Sequence, residues 1–198
     1  SFATGRNPGK HGFFDFVKIE GNELKMHTSG DLKIDTFYDT LSKNGFKNII
    51  ISMPFSFPPK KGFNGIMTSD FLYPKNEIFP KEKSNYEYRR RPDISKKGEE
   101  LLEVMIKTAK EQVTVAKRLY TDEEWDSYFF YYGETDSVSH IFWNEIEKNG
   151  KLIHKVEEIF KIADEFLGWV IEQMNEESIL LIMSDHGFGS YSFQKLSN

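Results

Sequence analysis

Apolar positions along this chain follow two different periods. Residues 99–120 place Leu102, Met105, Ala109, Val113, Ala116 and Leu119 about 3.6 residues apart, the spacing of one buried helix face. Residues 151–174 repeat the pattern with Leu152, Val156, Ile159, Ala163, Phe166, Val170 and Met174. A shorter helix is expected within 31–45, where Ile34, Phe37 and Leu41 share a face and Gly45 stands as a C-terminal stop. Between these stretches lie short continuous apolar runs: FKNIIISM at 46–53, the aromatic DSYFFYYG at 126–133, and ILLIM at 179–183. Runs of that length, rich in β-branched, aromatic and leucine side chains, suit strands buried on both faces, as in a parallel sheet. Strand, helix and strand alternate, so the expected architecture is α/β: a parallel-rich sheet sandwiched between helices.

Two stretches break the pattern. Residues 54–92 hold six of the seven prolines, with many aromatics and lysines and no long period. They are too long for a simple connection and are expected to form a cap or insertion within a single domain spanning 1–198. Inside them, Tyr86-Glu87-Tyr88-Arg89-Arg90-Arg91 reads first as a solvated charge run. The competing reading is a patch for phosphate and a base or sugar. Residues 1–16 are turn-rich, with Pro8 and several glycines. They read as a surface loop, or as a loop whose amides, with Arg6 and Lys10, face an anion.

The composition narrows the chemistry. The 198 residues suffice for one α/β domain or most of one. A net charge of −5 gives no whole-surface basic field, so a nucleic-acid polymer is not the expected partner. With no cysteine, a metal site has to be built from Asp, Glu and His. No apolar segment is long enough to span a bilayer. The N-terminus lacks a signal-peptide pattern, which slightly favours the cytoplasm. The chain starts at Ser1 in already patterned sequence and stops at Asn198 soon after a motif, so both ends look cut.

Carboxylate and imidazole come together twice. Asp185-His186-Gly187 follows the run at 179–183, at the place where open α/β sheets carry ligands, just outside a strand's carboxyl end. Asp136 and His140 follow the run at 126–133 and stand four residues apart. If a helix begins there, they lie on one face or straddle its first turn. Taken alone, this second pair reads as an ordinary helix-start interaction. Two such bursts at the ends of neighbouring parallel strands offer four ligands to parts of two metal sites. Of the other histidines, His154 is expected in solvent, His27 has no partner motif, and His11 is expected to bond loop backbone rather than metal.

The three motifs TGRNPGKHG at 4–12, ETDSVSH at 134–140 and MSDHGFG at 183–189 together resemble the alkaline phosphatase superfamily, and within it the type I phosphodiesterase/nucleotide pyrophosphatase group. Their order and separation match, and they span nearly the whole chain. The resemblance implies an alkaline-phosphatase-like fold and hydrolysis of phosphodiester or pyrophosphate bonds in a small substrate, nucleotides among them. It implies two divalent metal ions, zinc by preference. Asp136 and His140 would serve one ion, and Asp185 and His186 the other. It further implies a threonine or serine nucleophile upstream of Ser1, so that neither Ser1 nor Thr4 takes that role and this portion alone would be inactive. The position near Phe16 departs from the group, which places a phosphate-contacting asparagine there. Phosphomonoesterases, sulfatases and phosphoglycerate mutases of the same superfamily remain alternatives, as does a metal-binding domain without catalysis.

Overall fold

The computed structural model describes residues 1–86, 88, 92–93 and 95–190. Glu87 and Arg89–Arg91 of the expected basic run lie outside the described residues. The chain divides into two units. One comprises Ser1–Arg91 with Glu111–Tyr132, the other Pro92–Lys110 with Gly133–Asn198.

The first unit opens with a short helix, α1 (Pro8–His11), and an antiparallel hairpin of β1 (Val17–Glu20) and β2 (Glu23–Met26). Then come α2 (Phe37–Lys43), β3 (Asn48–Ile51), β4 (Gly65–Thr68) and β5 (Ile78–Phe79). Helix α3 (Gly98–Asp122) runs through both units, and β6 (Ser127–Phe130) returns to the first. The sheet has the order β5-β4-β3-β6, with β3 parallel to both β4 and β6 and β5 antiparallel at the edge. Residues 54–92 thus contribute two of the sheet's strands.

Every residue of β3 is buried, as the NIII run requires of a central parallel strand. Successive side chains point to opposite faces. On one face Ile50 and Met67 pack with Tyr38 of α2, Met53 and Phe57, and Phe129 of β6 lies against the cluster. On the other, Tyr128 of β6 donates its hydroxyl hydrogen to the Ala116 carbonyl of α3 at 2.7 Å. Helices therefore cover both faces of the sheet.

Helix α2 begins later than the apolar spacing predicts, because Thr36 caps it. The Thr36 hydroxyl accepts from the Asp39 amide at 3.1 Å, and the Asp39 carboxylate accepts from the Thr36 amide at 2.9 Å. This capping box satisfies two otherwise unpaired amides and leaves Ile34 outside the helix. Lys60 closes the arrangement, 3.1 Å from Asp39.

The second unit is helical among the described residues: the first part of α3, then α4 (Glu134–Glu147) and α5 (Ile153–Gln173). Helix α5 buries Val156, Ile159, Phe166 and Val170 of the expected stripe, with Ile162 buried where Ala163 was expected. Lys155 ties it to α3 through Glu99 and Glu103 at 2.8 and 2.7 Å. At the α4–α5 turn Glu145 accepts from the Leu152 amide at 2.9 Å, which supplies the cap that Leu152 itself lacks. No helix among the described residues is long and apolar enough to cross a membrane.

The expected buried strand at 179–183 is not there. Ile179, Leu181, Ile182 and Met183 are 87%, 75%, 66% and 60% exposed, and the segment joins no ladder among the described residues. Apolar content demands burial, but a strand also needs a neighbour for its amides and carbonyls. Among the described residues, the unit that holds this segment has helices and no strand.

Gly65 at the start of β4 lies close against Asn48 of β3. Its φ is +137°, and a Cβ there would stand 1.9 Å from the Asn48 carbonyl oxygen. Gly65→Ala should therefore separate the start of β4 from β3 and cost about 3 kcal/mol or more. Thermal or urea unfolding checks this, with a native-like midpoint as the contrary result.

Candidate functional site

Helix α4 starts with Glu134, Thr135 and Asp136 in its first turn, where carboxylates favour the helix dipole. Asp136 and His140 lie one turn apart on the same face, and His140 Nε2 stands 3.5 Å from Asp136 Oδ1. That oxygen is buried and makes no hydrogen bond. A bare buried carboxylate oxygen is costly unless something positive faces it.

The segment that follows 179–183 supplies the facing group. His186 Nε2 lies 3.6 Å from the same Asp136 oxygen and 3.8 Å from Asp185 Oδ2. Its other ring nitrogen, Nδ1, is 2.8 Å from the Gly187 carbonyl oxygen, which only accepts. Nδ1 therefore carries a hydrogen, and were the ring neutral its Nε2 lone pair would face two carboxylates. Such an array repels itself unless a proton or a metal cation lies between the partners. In the metal-free protein this raises the His186 pKa, through the Gly187 bond first, then the charges of Asp185 and Asp136.

The four expected ligands thus form a string, His140 to Asp136 to His186 to Asp185. The donor types suit a zinc-like cation, and the orphaned Asp136 oxygen is where one would be wanted. Among the described residues, however, no three of these side chains close around one point that would hold an ion. Asp185 is the outlying member, with its side chain 81% exposed.

Sequence reasoning missed what lies beside the string. The Phe188 ring meets His140 edge-on, with centroids 4.8 Å apart at 85°, and lies 5.0 Å from Trp143. Ser190 Oγ accepts from Trp143 Nε1 at 3.1 Å and donates to Glu147 Oε1 at 2.5 Å. Part of the signal was present in the spacing, since 136, 140, 143 and 147 follow an i, i+4, i+7 pattern, but α4 is kinked at Phe142 between the two pairs.

In the first unit, the loop at 1–16 reaches the carboxyl edge of the sheet through aromatic rings. Phe13 meets Phe55 at 5.1 Å, Phe16 meets Phe55 at 5.7 Å and Phe71 at 6.4 Å, and Phe71 stacks on Tyr131 at 5.8 Å. Phe55, Phe71 and Tyr131 follow the ends of β3, β4 and β6 respectively. This is the sheet edge where α/β folds take ligands. Arg6 and Lys10 are exposed on the loop, and His154 is exposed on α5, as expected. His27 stacks on Phe13 at 4.1 Å and lies 3.7 Å from Asp31.

His11 bonds loop backbone, as its position in the sequence led us to expect. Nδ1 accepts from the Phe13 amide at 3.2 Å, which puts the ring hydrogen on Nε2, 3.3 Å from Ser1 Oγ. Burial lowers the pKa of this neutral ring. The unfolded chain therefore binds more protons than the folded one in the interval just below the ordinary histidine value of about 6.5. Stability should fall as the pH drops through that interval, and His11→Gln should flatten the dependence. Unfolding midpoints measured across the interval check this, and the same slope in both proteins would refute it.

Comparison with curated proteins gives no match, and comparison with solved structures gives none. A family model does match, over residues 1–198: type I phosphodiesterase / nucleotide pyrophosphatase. The parallel-rich sheet flanked by helices is consistent with the alkaline-phosphatase-like fold expected from the motifs. The chain belongs to the type I phosphodiesterase/nucleotide pyrophosphatase family, within the alkaline phosphatase superfamily, and so among hydrolases of phosphodiester bonds.

Proposed function

We propose that the protein is a metal-dependent hydrolase of phosphodiester or pyrophosphate bonds in small phosphate esters, and that Asp136, His140, Asp185 and His186 hold two divalent ions, zinc by preference. The observation that carries the reading is Asp136 Oδ1: buried, without a hydrogen bond, and approached by two imidazole nitrogens at 3.5 and 3.6 Å. Asp136 and His140 serve one ion, and Asp185 and His186 the other.

When bound, such a pair of ions supplies Lewis-acid stabilisation of the phosphoryl oxygens and lowers the pKa of an attacking oxygen. The chain's own residues prepare the place. Helix α4 fixes the Asp136–His140 pair at its first turn, where the backbone sets both side chains on one face. The Gly187 carbonyl holds the His186 tautomer, leaving Nε2 as the donor nitrogen. Asp136 and Asp185 contribute the negative charge that a cation pair needs beside an anionic substrate. No residue of this chain is assigned the nucleophile's role.

Asp136→Ala and His186→Ala should each weaken zinc binding by more than about 100-fold, since each removes a ligand rather than a supporting group. Metal analysis after dialysis reads this, and unchanged stoichiometry would refute the assignment. For the reaction, the zinc-loaded full-length protein should turn over a chromogenic phosphodiester faster than the matching monoester or sulfate ester. No turnover of any of the three with zinc bound would overturn the enzymatic reading.

A further inference from the structure

Sheet pairing does not hold His186 beside Asp136. The segment from 178 to 190 joins no ladder among the described residues, and its apolar run is exposed. Its hydrogen bonds upstream of the motif are local: Ser178 Oγ donates to Asn175 Oδ1 at 2.9 Å, and Ser184 Oγ to the His186 carbonyl at 2.5 Å. Its contacts with α4 beyond the histidine itself come from downstream, through Phe188 and Ser190.

We propose that Trp143 and Glu147 on α4, with Phe188 and Ser190 of the segment, form a clasp that positions His186 against Asp136. The inference rests on the metal-centre reading for its consequence, while the clasp itself is a matter of side-chain contacts within the second unit.

Each part has a distinct task. Phe188 lies two residues beyond His186, and its ring fills the angle between His140 and Trp143, at 4.8 and 5.0 Å. An edge-to-face contact of this kind restrains the imidazole it touches as well as the segment that carries the ring. Ser190 then bolts the segment down. Its hydroxyl uses both of its capacities, accepting from the Trp143 indole and donating to the Glu147 carboxylate. The second of these bonds is charge-assisted and so the stronger. Trp143 and Glu147 follow a kink at Phe142 (φ −119°, ψ 22°), so the ledge that receives the segment and the first ligand pair lie on the two sides of that kink in α4. A helix fixes such geometry more tightly than a loop does. The four clasp residues touch no reacting atom and are positioning residues.

The test uses the full-length protein with Zn²⁺ as the probe. Phe188→Ala should weaken zinc binding by about 10–100-fold in calorimetric titration, the range for supporting groups around metal ligands. Phe188→Tyr keeps the ring and should bind zinc as the parent does. Ser190→Ala and Glu147→Ala should each weaken binding several-fold, and the double variant should be no weaker than Ser190→Ala alone, because both remove the Ser190–Glu147 bond. A metal-free readout separates the clasp from the metal reading. In the parent, Asp136→Asn should shift the His186 ring ¹⁵N resonances; in the Phe188→Ala background it should not. If the parent binds no zinc but the resonance coupling is lost with Phe188, the metal reading fails and the clasp stands. If Phe188→Ala is folded by circular dichroism yet keeps parental coupling and zinc affinity, the clasp is wrong.

Discussion

Strand β3 leaves no surface for solvent. Its four residues are buried, both of its edges are taken by parallel neighbours, and its two faces are covered. A strand so enclosed must pair every amide and carbonyl, because an unpaired one would cost more than a typical hydrogen bond contributes. The start of the strand shows how closely this is met. Asn48, fully buried, gives its backbone amide to the Asn64 carbonyl at 2.9 Å and its side-chain amide to Ser42 Oγ and the Phe46 carbonyl at 3.1 and 3.0 Å, although its Oδ1 is left without a hydrogen bond. Lys47 and Asp126 exchange bonds across to β6, at 2.7 and 2.9 Å. The three parallel strands are locked in register at their amino ends. Their carboxyl ends are thereby placed side by side, and the loops after β3 and β4 carry Phe55 and Phe71 to the glycine-rich segment, with Tyr131 behind Phe71.

The site on α4 turns on a charged group rather than on backbone pairing. There a polar atom, Asp136 Oδ1, is buried with nothing bonded to it, and two histidines stand just beyond hydrogen-bond distance. Proteins meet the demand of a buried carboxylate with a donor or a cation. On the His186 side the Gly187 carbonyl takes the Nδ1 hydrogen, so it is Nε2, with a proton or a cation, that faces the carboxylates. Electrostatic need and donor chemistry point the same way. The family match adds the reaction class, phosphodiester hydrolysis.

The two ends of the 178–190 segment have opposite characters. Its first part is an apolar run held in the open. Its last part is glycine-rich, yet it makes the specific contacts, through one ring and one hydroxyl. Local composition suggests a rigid strand followed by a loose loop. The contacts instead put the fixed point at Phe188 and Ser190, where the loop meets a helix that already carries two of the proposed ligands.

Much of this was legible in the residue order. Helices α3 and α5 follow from their stripes, because a 3.6 period has no other stable use in a chain of this kind. Strands β3 and β6 follow from short enclosed runs. The Asp136–His140 pair follows from its spacing, since a helix fixes the relative direction of residues four apart. The motif order was enough to recognise the family. Other features depended on contacts between distant residues. Thr36 and Asp39, rather than the apolar spacing, set the start of α2. Residues 54–92 supplied β4 and β5, although prolines and aromatics masked their strand character. ILLIM reads as a buried strand, but burial of a strand depends on a neighbour elsewhere in the chain, and hydrophobicity does not name that neighbour. The approach of His186 to Asp136 likewise joins residues far apart in sequence. Periodicity determines which face a side chain occupies; only the tertiary fold decides what that face meets.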